Sequence, residues 1–132
     1  MLVASAVRDA LLAHAREGAP EEVCGVLGGR AGPPPRVTTA RRVPNVAARP
    51  RTEYRLDPEA QFAAMDAGED AGETVVGFYH SHPRGPPRPS ATDEARATWA
   101  DHYYVVVVPD PAFVGAWRWT GERFERAPVQ VE

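Results

Sequence analysis

Two histidines, a serine and an aspartate lie close together in the run YHSHPRGPPRPSATD, which spans residues 79–93. They are His80, His82, Ser90 and Asp93, with the spacing H-x-H-x7-S-x2-D. Imidazole nitrogens and carboxylate oxygens are usual zinc ligands, and three side-chain ligands leave one tetrahedral position for water. The spacing therefore predicts a hydrolytic zinc site, with His80, His82 and Asp93 as the candidate ligands.

The residues around these side chains are suited to positioning them. Residues 74–79 are mostly apolar and rich in β-branched and aromatic types, which predicts a strand ending at the histidines. Positions i and i+2 of a strand project to the same side, so His80 and His82 can reach one ion while Ser81 points away. Prolines restrict the loop that follows and lower the entropy lost when it returns Asp93 to the metal.

The serine and the aspartate also admit a purely structural interpretation. S-x-x-D before a helix fits a variant capping box, with Ser90 at the N-cap and Asp93 at the third helical position. The two interpretations are compatible, because a hydroxyl can accept a bond from a helix N–H while donating its own proton to an oxyanion.

A hydrolytic zinc site also needs a general base. The nearest candidate in the sequence is the acidic pair Glu21 and Glu22, ahead of the apolar strand bounded by glycines. Residue type alone does not separate the two, and a glutamate at the edge of a strand is most often simply solvated.

Length and composition limit the class of protein. With 132 residues, of which 43% are apolar, we expect a single domain over residues 1–132. The net charge of −3 gives no basic footprint for nucleic acid, and no apolar stretch reaches the ~18 residues of a membrane span. The first residues lack the apolar core of a secretion signal, and the single cysteine, Cys24, suits a reducing compartment. We therefore expect a cytoplasmic protein without nucleic acid or membrane partners.

Hydrophobic periodicity and turn residues predict the element order αββαβαβββ. A second helix begins at Asp57-Pro58, with Phe62 and Met65 on one face, and Phe124 points inward from a closing hairpin. The other predicted elements are a helix over 3–17, strands at 23–29, 36–43 and 74–79, a helix over 90–99 and a strand over 103–108. Strands flanked by helices indicate an α/β sandwich around a mixed sheet.

Two segments together resemble the JAMM, or MPN-plus, zinc metallopeptidases. The run PEEVCGVLGG at residues 20–29 is similar to the family pattern P-x-E-x-C-G-x-L-x-G, and H-S-H-P with S-x-x-D follows later. Asn45 and Tyr54 stand where a short prokaryotic member places an asparagine and a tyrosine. The resemblance covers nearly the whole chain.

The resemblance implies a fold, a mechanism and a partner. The fold is a cytidine-deaminase-like three-layer sandwich, in which His80, His82 and Asp93 hold Zn2+. Glu22 rather than Glu21 is the general acid/base, and Ser90 steadies the tetrahedral oxyanion. Members of the family cleave after the C-terminal Gly-Gly of ubiquitin-like or sulfur-carrier proteins, so such a carrier conjugate is the implied partner. The natural carrier, its leaving group and the oligomeric state stay open.

Several arginines border the presumed cleft and could meet acidic groups on a carrier, although exposed arginines are the default. They are Arg49, Arg51, Arg55, Arg84 and Arg88.

Two other functions stay open beside the hydrolase. One is a non-catalytic MPN scaffold, although such proteins usually lack ligands that are all present here. The other is a RadC-like domain, whose H-N-H-P-S-G and P-S-x-x-D elements overlap this loop. Ser81, Arg84, the early E-x-C-G segment and the absence of a basic face argue against it. A cysteine protease is disfavoured because Cys24 lies in an apolar strand, where a free thiol is usually packed and inert.

Overall fold

The computed structural model describes residues 1–132, and its eight strands form one mixed sheet. In spatial order the strands are β7-β6-β5-β4-β2-β3-β1-β8. The strands are β1 (Leu2–Val3), β2 (Cys24–Arg30), β3 (Arg36–Val43), β4 (Thr74–Ser81), β5 (Tyr103–Pro109), β6 (Ala112–Trp119), β7 (Phe124–Ala127) and β8 (Gln130–Val131). The helices are α1 (Ser5–Gly18), α2 (Pro58–Asp70) and α3 (Ala91–Arg96).

Helices cover both faces of the sheet, which confirms the predicted three-layer α/β sandwich. On one face, Leu11 and Leu12 of α1 belong to a core cluster with Leu27, Tyr79 and other strand side chains. On the other face, a second cluster joins Ala64 of α2 to Phe78 and Tyr104. Phe78 and Tyr79 fall in different clusters because successive strand side chains point to opposite faces.

The sheet contains both parallel and antiparallel strand pairs. β4 lies between antiparallel β2 and parallel β5, at the centre of the sheet. The register between β2 and β4 sets Cys24 beside His80, so the residues just before β2 lie next to the end of β4. The early glutamates are thus brought to the two histidines by strand pairing.

Two short strands were absent from the predicted order. β1 pairs in parallel with both β3 and β8, which joins the two ends of the chain at one edge of the sheet. Each of these strands has only two residues, too few to show an alternating pattern.

The face of α2 that carries Phe62 and Met65 is not the one that packs on the sheet, since Phe62 is 71% exposed. The buried positions of this helix are Ala64 and Gly68, and Met65 packs only partly against the core. Small residues at i and i+4 let the helix lie close to the sheet, and Phe62 is on the opposite side.

The third helix is also shorter than the predicted range of 90–99. It ends at Arg96, and the backbone of Ala97 is extended. The N–H groups of Thr98 and Trp99 donate to the Tyr104 hydroxyl at 3.2 and 3.1 Å instead of continuing the helix. A tertiary contact therefore replaces the intrahelical bonds.

No helix in the structure has both the length and the apolar character needed to cross a lipid bilayer.

Candidate active site

The end of β4 presents alternate side chains to the two faces of the sheet. Ser81 is directed to a backbone partner, because its Oγ accepts a hydrogen bond from the Val23 N–H at 2.9 Å. The flanking residues His80 and His82 approach each other, with 3.1 Å between their Nε2 atoms. The i, i+2 arrangement predicted for the strand end is confirmed.

Asp93 completes a tight triangle of potential ligand atoms. Its Oδ2 atom lies 2.9 Å from Nε2 of His80 and 3.1 Å from Nε2 of His82. Three ligands bound tetrahedrally at 2.0–2.1 Å from one zinc ion would lie about 3.3 Å apart. The three atoms thus have nearly the spacing that a single small cation imposes.

The second nitrogen of His82 fixes the orientation of its ring. Nδ1 lies 2.9 Å from the carbonyl oxygen of Pro86, an acceptor only, so this nitrogen carries the proton and donates. In the neutral ring Nε2 then keeps its lone pair for a metal ion, whereas in the protonated ring Nε2 donates to Asp93. The proline-rich loop therefore holds one imidazole in the form that binds metals.

The pKa values in the triangle reflect burial and a local preference for positive charge. Burial lowers the pKa of His80, which keeps this imidazole neutral. Burial also disfavours charge on His82, but its hydrogen bonds to Asp93 and to Pro86 raise its pKa. For Asp93 burial opposes ionisation, yet the bonds from both histidines hold its pKa well below the usual range. An ionised carboxylate between two imidazoles favours a cation at this point.

The start of α3 carries Asp93 into the triangle. Ser90 is the N-cap: its Oγ accepts from the Asp93 N–H at 3.0 Å, and its own N–H donates to Asp93 Oδ2 at 2.8 Å. The capping-box interpretation is therefore confirmed. The same Oδ2 atom faces both histidines, so capping and the ligand geometry coexist.

Glu22 lies beside the triangle, immediately before β2. One ligand atom from each of Glu22, His80 and His82 lies within 4.8 Å of the others. The Oε1 atom of Glu22 is buried and has no hydrogen-bond partner. The pKa of Glu22 is raised to about 7, chiefly by burial; His82 opposes this rise, and the carboxylates of Asp93 and Glu53 contribute to it. Such a carboxyl exchanges a proton readily near neutral pH.

The segment 44–57 is fastened to Glu22 by its backbone. The Glu22 N–H donates to the Pro50 carbonyl at 2.7 Å, and Asn45 Nδ2 donates to the Glu22 carbonyl at 2.9 Å. Asn45 Oδ1 also accepts from the N–H groups of Ala47 and Arg55. The asparagine therefore holds this segment in place and positions the glutamate.

Tyr54, from the same segment, stacks on His80 with 4.1 Å between ring centroids and 14° between ring planes. The family motif predicted a tyrosine at this position, but it did not predict that the ring contacts His80. The two residues are far apart along the chain, and no local spacing signals their approach.

Two depressions flank the triangle. An apolar cleft of about 630 Å³ lies on the side of Tyr54 and Asp93 and includes Leu56, Phe78 and Trp99. A polar pocket of about 400 Å³ lies on the other side. Its lining includes Glu22, Arg51, Thr52, His82, Arg84 and Ser90.

The arginines singled out in the sequence divide between these depressions. Arg51 and Arg84 line the polar pocket, and Arg55 lines the apolar cleft. Arg49 and Arg88 are exposed and line neither of the two.

The single cysteine, the other two histidines and Glu21 contribute no atom to the triangle. Cys24 is buried, and burial raises the pKa of its thiol to about 12, which confirms an inert packed side chain. His14 pairs with the Tyr79 hydroxyl at 2.7 Å, and His102 Nδ1 donates to the Ala100 carbonyl at 2.9 Å. Glu21 is exposed, in contrast to Glu22.

The fold and the buried cluster agree with a family assignment. The family model described as "Prokaryotic homologs of the JAB domain" matches residues 4–120. The chain therefore belongs to the JAB family of prokaryotic JAMM/MPN proteins, as the sequence motifs predicted.

Curated relatives and a solved structure extend this assignment. The chain is similar to the Haloferax volcanii protein named desampylase, with 48% identity over 98% of this chain and 95% of that protein. It is 44% identical to the CysO-cysteine peptidase of Mycobacterium tuberculosis, over 75% of this chain and 66% of that protein. The crystal structure of a JAB1/MPN domain protein from Archaeoglobus fulgidus has the same fold, with a TM-score of 0.65 at 18% identity over 99% of this chain and 98% of that one.

Proposed function

We propose that this protein is a zinc-dependent hydrolase that cleaves the amide bond after the C-terminal Gly-Gly of a ubiquitin-like or sulfur-carrier protein conjugate. The observation that carries the proposal is the triangle of His80 Nε2, His82 Nε2 and Asp93 Oδ2, with sides of 2.9–3.1 Å, beside the unpartnered carboxylate oxygen of Glu22. Relatives named desampylase and CysO-cysteine peptidase support a conjugate of this kind as the substrate.

The residues present fit a zinc ion. His80, His82 and Asp93 would hold it, since two nitrogens and one oxygen are a usual donor set for a hydrolytic site. Asp93 Oδ2 lies 2.9 and 3.1 Å from the two histidine nitrogens, whereas the Glu22 oxygen lies within 4.8 Å of them and forms no hydrogen bond to either. Glu22 would therefore stay free of the metal, and a water could be the missing hydrogen-bond partner of its buried Oε1. A bound zinc ion supplies Lewis acidity, which makes water a nucleophile near neutral pH and polarises a carbonyl oxygen.

Glu22 and Ser90 then divide the proton and charge chemistry. Glu22 takes a proton from the attacking water as the new C–O bond forms at the scissile carbonyl. The Ser90 hydroxyl donates a hydrogen bond to the developing oxyanion, while its lone pair continues to accept from the Asp93 N–H. As the C–N bond breaks, Glu22 returns its proton to the leaving amine.

The two depressions give the substrate a direction. Glu22 protonates the leaving amine and lines only the polar pocket, so the leaving group occupies that side. The carrier tail then lies in the apolar cleft, past Tyr54. Glycines suit the last positions of this tail because residues without a Cβ allow two backbones to approach closely. A cytoplasmic location is compatible with the single, reduced and buried Cys24.

The test uses a recombinant sulfur-carrier protein ending in Gly-Gly, extended by one amino acid or joined through an isopeptide to a lysine peptide. We expect release of the carrier with a free Gly-Gly terminus, identified by mass spectrometry, loss of activity with a chelator and recovery with zinc. Intact substrates after incubation with zinc-loaded protein would exclude this hydrolase activity.

A further inference from the structure

The polar pocket has a lining unlike that of the apolar cleft. Apart from prolines and Gly85, every lining residue is polar, and the two cations with flexible side chains are Arg51 and Arg84. Both arginines are exposed, and neither forms an ion pair with a carboxylate of this chain.

Arg51 and Arg84 are two of the eight arginines of this chain that form no ion pair. The protein has 15 arginines against 18 acidic residues, so carboxylate partners are in excess. Seven arginines form ion pairs: Arg8, Arg36, Arg41, Arg42, Arg96, Arg118 and Arg123. Of these eight, Arg51 and Arg84 line the polar pocket, so two guanidinium groups without a carboxylate partner lie beside the proposed reacting bond.

The backbone ties both arginines to residues of the candidate site. Arg51 follows Pro50, whose carbonyl accepts the Glu22 N–H at 2.7 Å. Arg84 lies in a turn closed by the Gly85 N–H and the His82 carbonyl at 3.0 Å. The two side chains thus start from backbone that is hydrogen-bonded to the site, one next to the partner of Glu22 and one in the turn that begins at His82.

We propose that Arg51 and Arg84 bind a carboxylate carried by the leaving amine, and that they determine which conjugates are cleaved. This inference rests on the proposed function, which puts the leaving group in the polar pocket. The planar guanidinium matches a carboxylate in a bidentate arrangement, and pairs of this kind are directional as well as strong.

Chemistry restricts where such a carboxylate comes from. In a conjugate with a single amino acid, the α-carboxylate is separated from the scissile nitrogen by only one carbon. In an isopeptide, the lysine side chain separates the scissile nitrogen from its backbone, and a carboxylate must come from a neighbouring aspartate or glutamate. The two sources share one chemistry and are distinguished by substrate design.

The experiment measures how the zinc-loaded enzyme cleaves four substrates that are built on the same Gly-Gly carrier. Two carry a C-terminal alanine, either as the free acid or as the carboxamide. Two carry an isopeptide-linked lysine peptide, with glutamates or glutamines beside the lysine. We expect KM for the alanine acid to be about tenfold lower than for its amide, with kcat within a few-fold. A preference for the glutamate isopeptide instead would assign the carboxylate to a protein side chain.

Arg51→Gln and Arg84→Gln should each reduce the ratio of KM for the alanine amide to KM for the alanine acid. The double variant should bring this ratio close to one. The matched control is Arg30→Gln, which removes an exposed, unpaired arginine at the opposite end of β2 and should leave the ratio unchanged. Binding to inactive Glu22→Gln protein, followed by fluorescence anisotropy of labelled carriers, should show the same acid-over-amide preference without turnover.

The possible outcomes distinguish a failure of the proposed hydrolase activity from a failure of the proposed carboxylate pocket. If no substrate is cleaved, the proposed function fails. If neither the alanine pair nor the isopeptide pair shows a lower KM for the substrate with the carboxylate, or if that preference survives both arginine substitutions in folded protein of unchanged metal content, the carboxylate pocket is wrong while the hydrolase stands.

Discussion

The phenol ring of Tyr54 lies nearly parallel to the imidazole of His80, with their centroids 4.1 Å apart. His80 has no hydrogen bond from Nδ1, which is buried and without a partner. In metal-binding histidines the second ring nitrogen usually donates a hydrogen bond to a carboxylate or a carbonyl, as Nδ1 of His82 does to Pro86. Stacking on Tyr54 therefore orients the His80 ring in place of such a hydrogen bond.

Replacing Tyr54 by leucine should weaken zinc binding by about tenfold, the lower end of the effect of removing a group that orients a ligand. Tyr54→Phe keeps the ring and should retain the affinity of the unsubstituted protein. Zinc affinity would be measured by competition with a chromogenic chelator, independently of catalysis. Equal affinity in the leucine and phenylalanine variants would show that stacking does not matter for the metal.

Glu22→Gln should keep stoichiometric zinc and lose about 10²- to 10⁴-fold in kcat, because the amide can neither accept nor return a proton. The matched control is Glu21→Gln, which removes the same charge one position earlier from an exposed site and should stay within a few-fold. Metal content by elemental analysis and kcat with the carrier substrate are the two measurements. Loss of zinc in Glu22→Gln would instead make this glutamate a ligand.

Ser90→Ala should lower both stability and rate. Removing the cap of α3 costs about 1 kcal/mol, and removing one oxyanion donor costs about 10²- to 10³-fold in kcat. The matched control is Asp57→Ala, because Asp57 caps α2 by accepting from the Ala60 N–H at 3.0 Å. It should lose similar stability with kcat within a few-fold. A parallel loss of rate in the two variants would leave Ser90 with a structural role only.

His14 should make stability depend on pH in the acidic range. Burial, and then the charge of Arg42, lowers the pKa of His14 from 6.5 to about 4, while Glu17 opposes the shift. Between these values the unfolded chain binds more protons than the folded one, so the free energy of unfolding falls as the pH decreases from about 6.5 to about 4. After allowance for solvent screening, the loss is on the order of 1–2 kcal/mol.

Urea unfolding at several pH values, for the unsubstituted protein and for His14→Gln, gives the measurement. The difference between the two curves isolates His14 from the other titrating groups. We expect that difference to change over the acidic range and to be constant above it. A constant difference throughout would remove the histidine from the pH dependence.

Gly77→Ala should severely destabilise the protein. A Cβ at this position in β4 would fall on the carbonyl oxygen of Tyr103 in the neighbouring strand β5, where the backbone has no room to move. A loss of more than about 3 kcal/mol is expected from such overpacking. The matched control is Gly68→Ala in α2, where the nearest atom is a flexible Arg41 guanidinium nitrogen at 3.3 Å and helix propensity favours alanine. Thermal unfolding would compare the two.

Much of the fold and of the site geometry follows from local patterns in the sequence. The apolar run before His80 predicts a central strand, and strand alternation predicts that His80 and His82 face one point while Ser81 turns away. The S-x-x-D spacing predicts a cap, which both hydrogen bonds of the box confirm. Each of these predictions depends on neighbours within a few positions, where covalent geometry restricts the outcome.

Other features depend on tertiary contacts, and local sequence patterns could not predict them. The exposure of Phe62 follows from which side of α2 approaches the sheet, and the early end of α3 follows from the Tyr104 hydroxyl. Tyr54 reaches His80 only because Asn45 fixes the intervening segment. No periodicity within these segments encodes such contacts.

The Oδ2 atom of Asp93 accepts from the Ser90 N–H and also faces both imidazoles. One oxygen thus serves the start of a helix and the ligand triangle. Anyone who redesigns this loop must transplant Ser90 and Asp93 as a pair, because a change chosen to improve either task alone disturbs the other.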